Sequence, residues 1–377
     1  MVFQTSFQQG GAAMKSRFAV RLLFTTLTIA ILAGCATFPG LRKDAPADLT
    51  QKITHLEKRM EAVEARQRNM TDILARARGA VVYIWGTYTF VDKEGRPLRH
   101  VIDDQGEPVA DPKGVPRVDT TGAGPIAVSN YCGTAFLVGP QGEMLTNRHV
   151  AEPWWEDEKG EPLLAAGLKP VFIRLRAFFQ ERSTGVPIEV MRIDEKLDIA
   201  VVKTIDWIPA AQPLALHPDS AKVEEGQPII LIGYPTGLEA VLAKLEDAEQ
   251  STIKEQSGAC SYRTAERLSG QKHLRATITS GFLWEVLPHV LVYDARTIGG
   301  GSGGPLLDWS GTVIGVNAAY LEEFQGGNYG IPINFGRKLL SGGGAKSHES
   351  RMESNHYLTL YETDNEKNIT SCSSGNK

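Results

Sequence analysis

Gly299-Gly300-Gly301-Ser302-Gly303-Gly304-Pro305-Leu306 is the stretch on which the reading of this chain turns. Glycines on both sides of one serine let the backbone aim consecutive N–H groups at a single point and leave room for a second molecule at the hydroxyl. A serine hydroxyl is a weak nucleophile at neutral pH. It needs a base in contact, and the base needs an orienting group. The chain before the serine offers both. Gly133-Thr134-Ala135-Phe136-Leu137-Val138 is followed, after a turn, by Met144-Leu145-Thr146-Asn147-Arg148-His149-Val150. Leu197-Asp198-Ile199-Ala200-Val201-Val202 places a carboxylate at the edge of an apolar run, where it must find a hydrogen-bond partner. Attack on a carbonyl also creates an oxyanion that needs N–H donors already in place, and Gly300 and Ser302 are the candidates.

Taken singly, each motif has an ordinary reading: a structural histidine, a turn-making aspartate, a flexible glycine loop. The order His149, Asp198, Ser302 favours a base, an orienting acid and a nucleophile acting together. Residues 300–304 also fit Gly-x-Ser-x-Gly, but an α/β-hydrolase needs its acid and histidine after the serine. Only His348 and His356 follow, in a polar tail.

Around these motifs, strand-like runs recur with turn residues between them: Ala80 to Trp85, Thr134 to Val138, Pro170 to Leu175, Ile199 to Lys203, Ile229 to Ile232, Arg275 to Thr279, Val290 to Tyr293 and Thr312 to Val316. That spacing predicts an all-β barrel or sandwich. The 377 residues, 42% apolar and 22% charged, are enough for one large or two medium domains. A net charge of -4 gives no support to a nucleic-acid partner. Eight histidines lack ligand spacing, so no metal or organic cofactor is expected. Residues 91–130, rich in Gly, Pro and Asp, read as a long surface loop, and no internal repeat is evident. Residues 241–272 read as a charged, helical insertion, and the polar segment 341–377 as a tail without structure.

The N-terminus has the form of a targeting signal over residues 1–34, with Met14 an alternative start. Lys15, Arg17 and Arg21 precede an apolar core from Leu22 to Ala33. It ends in Leu32-Ala33-Gly34-Cys35, which resembles a bacterial lipobox. That resemblance implies a lipid on Cys35 and a chain anchored in the cell envelope, with Ala36 favouring the outer membrane facing the periplasm. Residues 35–79 read as linker and helical tether. Ile53, Leu56, Met60, Val63, Met70 and Leu74 alternate at three and four, either a short coiled coil or an amphipathic helix lying on the following domain. Cys132, Cys260 and Cys372 allow one disulfide, Cys132 with Cys260, or three free thiols.

Residues 80–340 resemble the trypsin-like serine proteases, and among them the HtrA/Deg branch. The motifs that carry the likeness are Gly133 to Val150, Asp198-Ile199-Ala200-Val201, Gly233-Tyr234-Pro235-Thr236-Gly237-Leu238, Asp294-Ala295, Ile314-Gly315-Val316-Asn317 and Gly330-Ile331-Pro332-Ile333. The resemblance implies a chymotrypsin-like double β-barrel split near residues 205–215, and a serine endopeptidase acting on peptides or unfolded proteins. It implies a His149/Asp198/Ser302 triad, an oxyanion hole from Gly300 and Ser302, and Ala318, Ala319 and Tyr320 on the strand that pairs with substrate. A role in envelope protein quality control or processing goes with it, and a homo-oligomer would follow from the coiled-coil alternative for the tether. A catalytically inactive binding module is the alternative. Three departures stand out. Gly301 replaces the usual Asp or Asn, Arg148 precedes the histidine, and little chain follows residue 340 for a PDZ domain. Three consecutive glycines predict a loop costly to order, with the Gly300 N–H only partly aimed.

Overall fold

The computed structural model describes residues 47–347, apart from 156, 236, 258–260, 298, 321–326 and 344. The chain divides into two compact units at Gln67/Arg68. Helix α1 (Ala47–Ala80) runs into β1 (Val81–Val91), followed by β2 (Arg99–His100), β3 (Val118–Asp119), β4 (Ser129–Leu137) and β5 (Glu143–Thr146). Then come α2 (Arg148–Ala151), α3 (Glu161–Ala165), β6 (Lys169–Phe178), β7 (Val186–Asp194) and β8 (Ala200–Thr204). The second half holds β9 (Pro228–Gly233), α4 (Gly237–Leu242), α5 (Asp247–Ser257), α6 (Ser261–Gly270), β10 (Thr277–Val286), β11 (Leu291–Tyr293), β12 (Pro305–Asp308), β13 (Val313–Tyr320) and β14 (Asn328–Pro332). It ends with α7 (Ile333–Leu340) and β15 (Ala345–Ser347).

The strands close into two six-stranded barrels. The first runs β7-β6-β1-β4-β5-β8 and closes by β7–β8 pairing; the second runs β10-β11-β14-β13-β12-β9 and closes by β9–β10 pairing. This is the chymotrypsin-like double barrel that the resemblance implies. Closure pairs most of the strand edges around each barrel, so the Val- and Ile-rich strands offer little open edge to other chains. β1 is buried over its whole length and is paired on both edges, by β4 and β6. The connection after Thr204 binds both barrels: Leu214 N–H donates to Leu137 O, and Leu216 bridges Val313.

Four features correct the expectations or decide between them. The segment 91–130 is a hydrogen-bonded ribbon, not a bare loop, and it is a repeat. Val91-Asp92-Lys93-Glu94-Gly95-Arg96-Pro97, Ile102-Asp103-Asp104-Gln105-Gly106-Glu107-Pro108 and Ala110-Asp111-Pro112-Lys113-Gly114-Val115-Pro116 each fold into the same hairpin. In each, the Asp Oδ1 accepts from the N–H groups two and four residues on, and the Gly takes positive φ. In the second unit, the end of α1 packs on the first barrel. Ile73, Ala77 and Ala80 are buried, and Met70 and Leu74 lie against the same core. This stripe is the amphipathic alternative; Ile53, Leu56 and Met60 upstream are exposed. Cys132 is free, its sulfur enclosed near Gly237, so the Cys132–Cys260 disulfide is not formed; Cys260 lies outside the described residues. Finally, β15 lies inside the segment expected to lack structure, pairing Ala345 with Asp194 on β7. The insertion at 241–272 is helical, carrying α5 and α6.

Candidate active site

His149 stands in α2, the single turn that follows β5. Asp198 stands in the β7–β8 turn. Asp194 shapes that turn, its Oδ1 accepting from the N–H groups of Lys196 and Leu197. The two meet at the barrel end: His149 Nδ1 lies 2.7 Å from Asp198 Oδ2, and the His149 backbone N–H donates to Asp198 Oδ1 at 2.9 Å. With both carboxylate oxygens engaged, the His149 imidazole is tied to Asp198 through Nδ1, which leaves Nε2 for another partner. Asn147, fully buried, donates from Nδ2 to the Asp198 carbonyl at 2.8 Å.

Arg148, which the motif reading marked only as a departure, fastens the same corner. Its guanidinium donates to Glu152 Oε2 at 2.9 Å and to the carbonyl of Glu195 at 3.1 Å, and lies 4.6 Å over the Trp155 ring. It joins the helix that carries His149 to the turn that carries Asp198.

The second barrel presents Ser302 within the Gly-rich turn that leads into β12. Its Oγ donates to the Ala318 carbonyl at 3.2 Å, and no hydrogen bond joins it to His149 among the described residues. In this arrangement the Ser302 hydroxyl is engaged by the Ala318 carbonyl and not by the imidazole. Catalytic hydrogen bonds commonly tighten only when substrate is present.

The glycine loop is held more firmly than its composition predicts. Three successive carbonyls are anchored: Gly300 O accepts from Thr134 Oγ1 at 2.8 Å, Gly301 O from Asn317 Nδ2 at 2.7 Å, and Ser302 O from Thr134 N at 2.9 Å. Thr134 and Asn317 are both buried. A planar peptide sets C=O and N–H antiparallel. Anchoring Gly301 O therefore fixes the direction of the Ser302 N–H. Gly300 and Gly303 take positive φ, and a Cβ on Gly303 would collide with the Thr134 carbonyl and the Thr146 hydroxyl.

Beyond Val316, β13 no longer pairs with β12, while Ala319 and Tyr320 still pair with Tyr329 and Asn328 on β14. One edge of the backbone at 318–320 thus has no strand partner among the described residues. Arg296 is exposed, its carbonyl accepting from Thr279 Oγ1. Cys132, close to Gly300, is no competing nucleophile, because burial pushes its thiol up.

The sequence model of the trypsin-like peptidase domain matches residues 133–316, the span holding all three motifs. Residues 133–316 are thus similar to the trypsin-like peptidase domain. The chain is similar to the magnetosome formation protease MamE of Paramagnetospirillum magneticum, at 27% identity over 62% of this chain and 26% of that protein. It is also similar to the putative serine protease HhoB of Synechocystis, at 30% over 53% of this chain and 37% of that protein. The probable periplasmic serine endoprotease DegP-like of Chlamydia pneumoniae is 30% identical over 53% of this chain and 30% of its own length. The chain thus spans well under half of each of these relatives. Among solved structures, the HtrA-type protease AlgW with decapeptide aligns at 17% identity and TM-score 0.42, over 72% of this chain and 66% of that one.

Proposed function

We propose that this chain is a serine endopeptidase that hydrolyses peptide bonds with Ser302 as nucleophile, His149 as general base and Asp198 as the group that orients it. The observation that carries the reading is the doubly bonded His149–Asp198 pair on the first barrel facing an ordered Gly-Ser-Gly turn on the second. An extended peptide adds to the open edge at Ala318, Ala319 and Tyr320, which sets its scissile carbonyl beside Ser302. The hydroxyl leaves the Ala318 carbonyl, passes its proton to His149 Nε2, and Oγ bonds to the carbonyl carbon. The Gly300 and Ser302 N–H groups receive the oxyanion. Collapse breaks the C–N bond, and the imidazolium protonates the leaving amine. Water then attacks the acyl-enzyme by the same route in reverse.

Labelling by a fluorophosphonate tests this reading. One adduct per chain on Ser302, absent from Ser302→Ala, is the expected result. A folded chain that takes no label would instead be the protease-like binding module.

Cys35 lies outside the described residues; we extend the proposal to a lipid on its sulfur and a place in the cell envelope, in line with the DegP-like relative, a probable periplasmic endoprotease. The wild type is then expected to sediment with membranes and Cys35→Ser to be released or left unprocessed; equal solubility of the two would refute the anchor. Substrates are unfolded or extended proteins met in that compartment. The exposed Ile53, Leu56 and Met60, one or two turns apart along α1, support self-association.

A further inference from the structure

The helical insertion builds a second site that the proposed peptidase chemistry does not use. Between α4, α6, the start of β10 and the end of α1 lies a cleft of about 480 Å³, with Val241, Leu245, Ala276 and Ile278 as its apolar walls. Five basic side chains line it: Arg78, Lys244, Lys272, His273 and Arg275. A smaller hollow of about 260 Å³ shares Lys272 and Arg275 and adds Gln180 and Ser269. One acid closes on this group, Glu249, whose Oε1 lies 2.7 Å from His273 Nε2. No ion pair joins Arg78, Lys244, Lys272 or Arg275 to a carboxylate among the described residues. The Arg78 Nε is buried without a hydrogen-bond partner among the described residues, and so is Gln180 Nε2.

Such an arrangement is costly when empty. Like charges gathered beside apolar walls repel, and a buried donor with no acceptor loses its hydration without return. Lys244 registers the strain: partial burial, and next the Arg78 guanidinium, hold its ammonium below the usual lysine range. Its Nζ has only the neutral Thr277 hydroxyl, at 2.9 Å. An anion with several acceptor oxygens would relieve both costs. Two guanidinium forks and two ammonium groups suit a tetrahedral, doubly charged oxyanion better than a single carboxylate. The chain as a whole is acidic, at net -4, so the positive charge here is local and does not form a nucleic-acid track.

We infer that the cleft between Arg78, Lys244, Lys272 and Arg275 is a binding site for a phosphate-class oxyanion, either free or as the headgroup of an anionic lipid. The cleft reaches the wall of the glycine loop through a single short segment. Tyr234 O and Gly237 N lie against Gly300, and Val241, one turn further along α4, lines the cleft.

Thermal unfolding of the full chain tests the site, with inorganic phosphate or dihexanoyl phosphatidic acid added below its micelle concentration, against chloride and acetate at matched ionic strength. A ligand that binds only the folded state raises Tm in a saturable way. The expected result is such a rise with a phosphate ligand and none with chloride or acetate. Lys244→Glu/Arg275→Glu, at two exposed positions, is expected to weaken it by about tenfold or more. Similar half-saturation by the two ligands assigns a free oxyanion; half-saturation by the lipid at concentrations about tenfold lower assigns a headgroup. The proposal is overturned if neither ligand exceeds the salt controls, if acetate matches phosphate, or if the folded double variant responds like the wild type.

Discussion

Replacing Ser302 by alanine is expected to abolish hydrolysis of an unfolded protein such as casein while leaving the fold as it is. The hydroxyl makes one hydrogen bond, to the Ala318 carbonyl at 3.2 Å, and the residue is half-buried. Its removal therefore costs about 1 kcal/mol of stability or less. The rate is another matter. Without the nucleophile no acyl-enzyme forms, and what survives is transition-state binding by the N–H donors and the substrate strand. In a comparable triad this loss is on the order of 10⁶-fold in kcat. His149→Ala is expected to fall nearly as far, because the hydroxyl then has no acceptor for its proton. The double variant Ser302→Ala/His149→Ala is expected to be no slower than either single one, since the residues act as a unit. Casein turnover and thermal unfolding, measured together on the three proteins, check this. Comparable turnover by wild type and Ser302→Ala would remove the assignment, and so would a double variant slower than the singles by the product of their effects.

Much of this site was legible in the sequence because its chemistry constrains residue type at each point. A base after a strand, an acid at an apolar strand end and a serine among glycines can be read without coordinates, and their order points to one arrangement. The barrels were legible for a similar reason, since short apolar runs between turn residues leave few other folds. What was not legible depends on contacts distant along the chain. Thr134 reaches Gly300, and Asn317 reaches Gly301 and Tyr293; nothing local in Gly133-Thr134-Ala135 or Val316-Asn317-Ala318 announces those bonds. The anchoring of the glycine loop was not legible for the same cause. The conformational cost of Gly299 to Gly301 is visible in the sequence, whereas the anchors that offset it lie on other strands. The ribbon at 91–130 is a different kind of miss. Its repeated Asp-x-x-Gly-x-Pro unit was present in the letters, but Gly, Pro and Asp were weighed as loop formers by composition and not by position. Position is what matters there, because the Asp Oδ1 and the positive-φ Gly together close each hairpin. The end of α1 shows a similar limit. A spacing of three and four fits a coiled coil and a docked amphipathic helix equally, and burial of Ile73 and Ala77 is a property of the partner surface.

Asn317→Ala is expected to lower kcat by roughly 10- to 100-fold with little change in KM, an effect below that of deleting an oxyanion donor outright. The side chain is buried and serves three partners. Its Oδ1 accepts from the Tyr293 hydroxyl, and its Nδ2 donates to Gly301 O at 2.7 Å and to Thr297 Oγ1 at 3.2 Å. Truncation leaves the Tyr293 hydroxyl, itself fully buried, without its acceptor, which costs about 1–3 kcal/mol of stability. It also frees one side of the Gly301 carbonyl, which then keeps only the Gly304 N–H at 3.1 Å. The Gly301–Ser302 peptide can rock, and because its N–H points opposite its C=O, the Ser302 donor swings off the position proposed for the oxyanion. Ground-state binding on the β13 edge does not involve that donor, so KM is spared. Asn317→Asp separates the two roles. A carboxylate still accepts from Tyr293 but faces the Gly301 carbonyl with a like partial charge, so kcat is expected to fall while the Tyr293 bond persists. Steady-state kinetics on a short peptide, with unfolding measured in parallel, read these outcomes. A folded Asn317→Ala or Asn317→Asp enzyme with undiminished kcat would show that the Ser302 N–H is aimed by the loop alone.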